Sequence, residues 1–119
     1  MSDDADFGQL AEDLSPEDLR IVLGVFATDV KRLTGNLSAA AAVNDLVAYK
    51  RAAHGLAGAA GAVGTKSLEH GCRVAMMTTE LAGERLIEAA AAIDVMADAA
   101  LVKLAAFVSQ LDKTAANGA

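Results

Sequence analysis

His54 is the residue whose type and setting best suit chemistry in this chain. An imidazole is largely neutral near pH 7, and the neutral ring is a nucleophile that can also carry a proton. Gly55, Gly58 and Gly61 follow His54 within an apparent helix. Because each glycine inside a helix costs roughly 1 kcal/mol relative to alanine, their density indicates that another surface approaches this helix closely.

At about 100° per residue, the helix places His54 on a face with two cations and several very small residues. The opposite side is apolar from Leu46 to Val63 and is expected to face the core. The face with His54 consists of Val47, Lys50, Arg51, His54, Ala57, Gly58 and Gly61. The pattern therefore predicts an exposed imidazole with positive charge one turn before it and a bare surface for a bulky partner after it.

The segment around His54 resembles the signature of histidine-containing phosphotransfer (HPt) domains, commonly written A-H-x-L-K-G-x-x-x-x-x-G-x-x-x-L. The positions that match are Ala53, His54, Leu56, Gly58, Gly64 and Leu68. The lysine of the signature, three positions after the histidine, is replaced here by Ala57. The order and spacing of the predicted helices extend the resemblance more loosely over residues 15 to 111.

HPt domains are four-helix bundles that carry a phosphoryl group on a histidine between receiver-domain aspartates. The resemblance implies that His54 accepts a phosphoryl group from one receiver aspartate and passes it to another. It implies a response-regulator receiver domain and a hybrid sensor kinase as partners, with Mg²⁺ on the receiver and no cofactor or metal on this chain. The chain would be a phosphocarrier without an ATP site rather than an enzyme. The implied docking surface for the partner includes Val47, Ala57, Gly58 and Gly61.

Phosphoryl transfer depends mainly on positioning and on neutralising charge, so a cation is expected near the phosphoryl acceptor. The resemblance assigns this task to the lysine that Ala57 replaces. Lys50 and Arg51 are the candidates on the same helix, and Lys66 and Arg73 on the following helix are further ones. Each is also compatible with an ordinary solvated charge, so the sequence does not choose among them.

The bulk composition limits the class of protein and its partners. The 119 residues suffice for one domain, and 54% hydrophobic with only 3% aromatic residues favours packed helices over a sheet. A net charge of −6 argues against nucleic acid and anionic membranes as main partners. No apolar run is long enough to span a bilayer, and the single Cys72 fits a reducing compartment. We therefore expect a cytoplasmic protein, and we expect it to be a monomer.

The periodicity predicts an all-α fold, an up-down-up-down antiparallel four-helix bundle with a short N-terminal helix or arm. Residues 1–14 are the predicted lead-in, residues 15–112 the bundle and residues 113–119 a polar tail. The first long helix is expected to bend near Gly35 and to bury the apolar residues that recur at helical spacing, Leu19, Val22, Leu23, Phe26, Val30, Leu33 and Leu37. The inner stripe of the third long helix is expected to be Leu68, Cys72, Ala75, Met76 and Thr79. Helix caps are expected at Ser15, at Asn44 or Asp45 and at Thr65, and helix-ending glycines at Gly64 and Gly83, with the last helix starting near Glu84.

Two other interpretations remain open at this point. In the first, the bundle docks on a receiver or a kinase as an adaptor without carrying phosphate, which the absence of lysine at Ala57 favours. In the second, a structural bundle self-associates through its alanine-rich faces. A metal site has little support, since the chain has only two histidines and one cysteine, and we interpret His70 as a surface residue.

Overall fold

The computed structural model of the chain describes residues 7–77 and 83–117, with side chains described as far as residue 113. These residues form helices and turns and contain no strand, so the predicted all-α class is confirmed. The helices are α1 (Phe7–Asp13), α2 (Pro16–Ala42), α3 (Leu46–Val63), α4 (Lys66–Met76) and α5 (Glu84–Asn117). The longest dimension, 54 Å, matches the length of about 51 Å expected for the 34 residues of α5.

The four helices from α2 to α5 pack in a ring. α3 lies against both α2 and α4, and α5 lies against both α4 and α2. The connections within this ring are short where the structure describes them, with three residues between α2 and α3 and two between α3 and α4. Each of these four helices therefore has two neighbours within the ring, and α3 presents its exposed side between α2 and α4.

The predicted caps are present at both ends of α3, whereas the residue that begins α4 bonds differently from the prediction. Asp45 caps the start, and its carboxylate accepts the N–H of Ala48 at 3.1 Å. Gly64 ends the helix in the left-handed conformation at φ 84°, as expected for a glycine there. Thr65 holds the predicted N-cap position of α4, but its side chain makes no capping bond there, and its buried hydroxyl instead donates to the carbonyl of Ala60 at 3.1 Å. The carbonyls at the end of α3 lack intrahelical donors, and this hydroxyl supplies one.

One expected bend and two helix ends differ from the prediction. α2 continues unbroken through Gly35, where we expected a bend, because the flanking Leu33 and Leu37 are both anchored in the core. α4 has only 11 residues and ends at Met76, and the predicted inner position Thr79 lies outside the described residues. α5 continues through Asn117, so the predicted polar tail begins inside a helix.

The core forms from one apolar stripe on each helix. On α2 the predicted stripe is confirmed, and its buried members are Leu19, Leu23, Phe26, Val30, Leu33 and Leu37. α1 is anchored by Phe7, whose ring lies 6.5 Å from that of Phe26 and 5.5 Å from that of Phe107 between ring centroids. This aromatic contact holds α1 against α2 and α5.

Tyr49 is the buried polar side chain that the core accommodates least well. It is 0% exposed, and its hydroxyl has no hydrogen-bond partner among the residues that the structure describes. Burial raises the pKa of Tyr49, and the nearby thiol of Cys72 raises it further. Burial also raises the pKa of Cys72 itself, from 9.0 to about 11.

We expect Tyr49→Phe to leave the free energy of unfolding unchanged or to raise it by up to about 1 kcal/mol, because it removes an unpaired buried hydroxyl and keeps the ring. Tyr49→Ala, the control, should lose about 3–5 kcal/mol through loss of buried area and cavity formation. Urea denaturation followed by circular dichroism measures both. A loss above about 1 kcal/mol for Tyr49→Phe would show that the hydroxyl makes a stabilising bond.

We expect alkaline conditions to destabilise the fold through Cys72. Below pH 9 its thiol is protonated in both the folded and the unfolded chain, so it adds no pH dependence there. Above pH 9 the unfolded chain releases this proton while the folded chain keeps it up to a pKa of about 11, so stability falls by up to about 1.4 kcal/mol per pH unit. Tyr49, whose pKa is also raised, acts in the same direction at the upper end of this range.

Denaturation at about pH 8 and about pH 10 tests the contribution of Cys72. The wild type should lose about 1 kcal/mol more than Cys72→Ala between these two conditions. Equal losses in the two proteins would mean that the thiol titrates normally in the folded state.

Candidate functional site

His54 is exposed near the middle of α3, as predicted. The helix that carries it contains no aspartate or glutamate between Leu46 and Val63, although the whole chain has a net charge of −6. Lys50 and Arg51, one turn before His54, are the charged residues of this helix. The charged side chains that α3 itself contributes near the imidazole are therefore both cationic, on a protein of net negative charge, which suits an anionic group or an acidic partner.

The two glycines that follow His54 on its face have different surroundings. A Cβ added to Gly58 would meet no atom within 4 Å, so the space above it is open. A Cβ added to Gly61 would lie 3.0 Å from Oε2 of Glu69 on α4, so this carboxylate occupies the space that a side chain would need. Both glycines are exposed. Gly58 leaves the surface next to His54 unobstructed, whereas Gly61 allows α4 to approach α3.

The expectation that Ala57 belongs to the docking surface is wrong. Ala57 is only 2% exposed and belongs to the core. It lies about 60° around α3 from His54, turned towards α4, the helix that also approaches Gly61. A lysine at this position would have to leave a packed helix interface before it reached solvent.

The cations near His54 lie on both sides of α3. Arg51 is exposed and lines a groove of about 460 Å³ between α2 and α3, to which Arg32 of α2 also contributes. Lys50 is half-buried on the side towards α4. On α4, Arg73 donates to Oε2 of Glu69 from Nε at 3.1 Å and from Nη2 at 2.5 Å. The structure thus brings Lys50 and Arg51 to the His54 side of α3, and their contact with a phosphoryl group stays a prediction.

An apolar groove between α2 and α3, about one and a half to two turns after His54, was not predicted from the sequence. Ile21 and Val25 of α2 are 61% and 56% exposed, and they line a groove of about 230 Å³ together with Ala59 and Ala62 of α3. Val47, which we predicted to take part in docking, is 69% exposed and lies about two turns before His54 on α3. The sequence could have indicated this groove, because Ile21 and Val25 are β-branched residues four positions apart that lie outside the buried stripe of α2.

Within the ranges 7–77 and 83–117, no group of three or more His, Cys, Asp or Glu side chains is arranged to hold a metal ion. None of the helices in that same part of the chain has the length and apolar character needed to cross a membrane. His70 is exposed, as predicted, on α4.

Comparison with known proteins identifies the family. A family model described as the Hpt domain matches residues 21–114, a span that runs from the first turns of α2 almost to the end of α5 and includes His54. No curated protein and no solved structure matched the chain. The match covers more than half of the chain and confirms the resemblance seen around His54. The chain belongs to the Hpt domain family.

Proposed function

We propose that this chain is a phosphocarrier in a multistep phosphorelay and that His54 is its phosphoryl acceptor. Hpt domains take part in phosphotransfer in phosphorelay signalling and carry phosphate rather than binding ATP as enzymes do. The observation that supports His54 most directly is its exposure on a helix that has no carboxylate of its own. Its position in the matched Hpt span supports the same assignment.

In the proposed reaction, a neutral ring nitrogen of His54 attacks the phosphorus of a receiver aspartyl phosphate. The new N–P bond forms as the P–O bond to the aspartate breaks, and the electron pair leaves with the aspartate carboxylate. Transfer to the next receiver reverses these steps on another aspartate. Mg²⁺ on the receiver and the positive charge of Lys50 and Arg51 would neutralise the phosphoryl oxygens. We expect no metal or cofactor on this chain.

We propose an up-down-up-down antiparallel bundle as the scaffold for this reaction, supported by the ring of helix contacts and the short connections. On it, a receiver domain would dock over the α2–α3 side of His54. Ile21 and Val25 would contribute apolar contact towards the C-terminal end of α3 and Val47 towards its N-terminal end. Gly58 would leave room for the backbone of the partner to approach, whereas Gly61, which we predicted to do the same, lies under the carboxylate of Glu69. Such a contact should be small and transient, because a carrier has to leave one receiver to reach the next.

The proposed partners are the receiver of a hybrid sensor kinase and that of a response regulator. We propose that the chain works as a monomer in the cytoplasm, where the single thiol of Cys72 would stay reduced. Its acidic character makes nucleic acid and anionic membranes poor partners.

We expect His54→Gln to abolish phosphoryl acceptance from a phosphorylated receiver and to leave the helical content unchanged, because an exposed side chain is replaced. The measurement is acid-labile, base-stable label on the protein after mixing with receiver and Mg²⁺, with circular dichroism as the folding control. His70→Gln is the matched control, since it removes the other exposed histidine and should accept label normally. Label on His54→Gln would refute the site, and receiver binding without label on the wild type would favour an adaptor.

We expect Gly58→Leu to slow transfer from a receiver by at least about tenfold, because a side chain would then project from the open surface beside His54 into the docked partner. The protein should still fold, and its free energy of unfolding should rise by up to about 1 kcal/mol because leucine favours the helix more than glycine does. Gly24→Leu is the matched control, since Gly24 also lies in a helix with no atom within 4 Å of an added Cβ, but on the α2–α5 side. Equal transfer rates for the two variants would show that the surface over Gly58 is not used in docking.

A further inference from the structure

We propose that the groove lined by Arg32 and Arg51 binds an acidic side chain of the docked receiver, and that Arg32 thereby selects among receivers. The inference rests on the proposed phosphocarrier function. It concerns which partner His54 meets, and it assigns a role to a residue of α2 that lies 22 positions before the histidine.

The register between α2 and α3 places Arg32 at the level of His54. A Cβ added to Gly55 would lie 3.2 Å from Cδ2 of Leu33, so these two residues face each other across the α2–α3 seam. Arg32 directly precedes Leu33, and His54 directly precedes Gly55. Arg32 on α2 and His54 on α3 therefore lie at nearly the same height along the contact between these two helices.

The groove itself has the polarity of an anion site. Its charged and polar lining consists of Arg32, Asn36, Asp45 and Arg51. The carboxylate of Asp45 already accepts the Ala48 N–H as the cap of α3, whereas no ion pair to Arg51 is found among the described residues. Arg32 forms an exposed pair with Asp29 at 3.3 Å, a contact worth little in water. The planar guanidinium of either arginine can bind a carboxylate through two parallel hydrogen bonds.

The anion that this groove would bind is a carboxylate of the partner and not the phosphoryl group on His54. His54 is not among the residues that line the groove, so a phosphoryl group on the imidazole would stand beside it. A receiver docked over Ile21 and Val25 would pass over Asp29 and reach Arg32 next, because Asp29 lines the apolar groove and pairs with Arg32. An acidic side chain at that edge of the receiver would meet Arg32, while Arg51, one turn before His54, keeps the role proposed for it beside the phosphoryl group.

The experiment compares Arg32→Glu with Lys31→Glu. Both variants change the net charge equally at adjacent positions of α2, but Lys31 lines the groove on the α2–α5 side. The substrate is a purified receiver domain, chosen from a panel for transfer to the wild type and phosphorylated in the presence of Mg²⁺. A second assay without any receiver uses phosphoramidate, whose P–N bond breaks with release of ammonia as the bond to the His54 nitrogen forms.

We expect Arg32→Glu to lower kcat/KM for the receiver by about tenfold or more at low salt, mainly through a higher KM, because charge reversal weakens association. Lys31→Glu should change kcat/KM by less than about twofold, and added salt should slow the wild type more than Arg32→Glu. Labelling by phosphoramidate should be the same in all three proteins. Replacing an acidic residue of the receiver by arginine should restore transfer to Arg32→Glu.

Other outcomes would overturn the inference in distinguishable ways. Equal effects of Arg32→Glu and Lys31→Glu would mean that only the overall charge matters. Slower labelling of Arg32→Glu by phosphoramidate would mean that Arg32 contacts the phosphoryl group instead of the partner. Failure of every receiver to label the wild type, with or without these substitutions, would instead refute the phosphocarrier function on which the inference rests.

Discussion

Close packing of α3 between α2 and α4 is the constraint on which the rest of the structure depends. The buried positions on the flanks of α3 are mostly alanine, and they include Ala52, Ala53, Ala57 and Ala60. Methyl side chains let neighbouring helices approach closely, since the distance between helix axes depends on the side chains at the contact. The glycines complete this arrangement, with Leu33 of α2 against Gly55 and Glu69 of α4 over Gly61. Only a narrow strip of α3 remains exposed, and His54 lies on it.

This arrangement explains why a reactive side chain can be both exposed and well positioned. His54 projects from the middle of a helix that is packed on two sides and capped at both ends, by Asp45 at the start and Gly64 at the end. A side chain on such an element is held more precisely than one on a loop. The same packing also excludes larger residues from the flanks of α3, which is why Ala57 is buried where the family signature has lysine.

The ends of α3 are also tied to other helices. Asn44 adopts a positive φ of 58°, and its side chain accepts the N–H of Gly83 at 3.1 Å, which links the α2–α3 turn to the start of α5. At the other end, the hydroxyl of Thr65 closes the two-residue turn to α4 on the carbonyl of Ala60. These local bonds fix where α4 and α5 lie along α3, and so they fix which side chains of α4 meet the His54 face.

The sequence alone determined that His54 is exposed, that Ser15 caps α2, that Asn44 or Asp45 caps α3, and which stripe of α2 is buried; the structure chose Asp45. All of these depend on residues within about one or two helical turns of each other, where spacing and helix geometry are sufficient. The tertiary structure alone decided that Ala57 is buried, that Thr65 bonds backwards to α3, that Ile21 and Val25 line a groove with Ala59 and Ala62, and that Arg32 lies at the level of His54. A helical wheel gives the angle of a residue around its own axis, but the fraction of that circumference that is buried depends on where other helices pack. The register between α2 and α3 is set by contacts such as that of Leu33 with Gly55, which no local spacing in the sequence encodes.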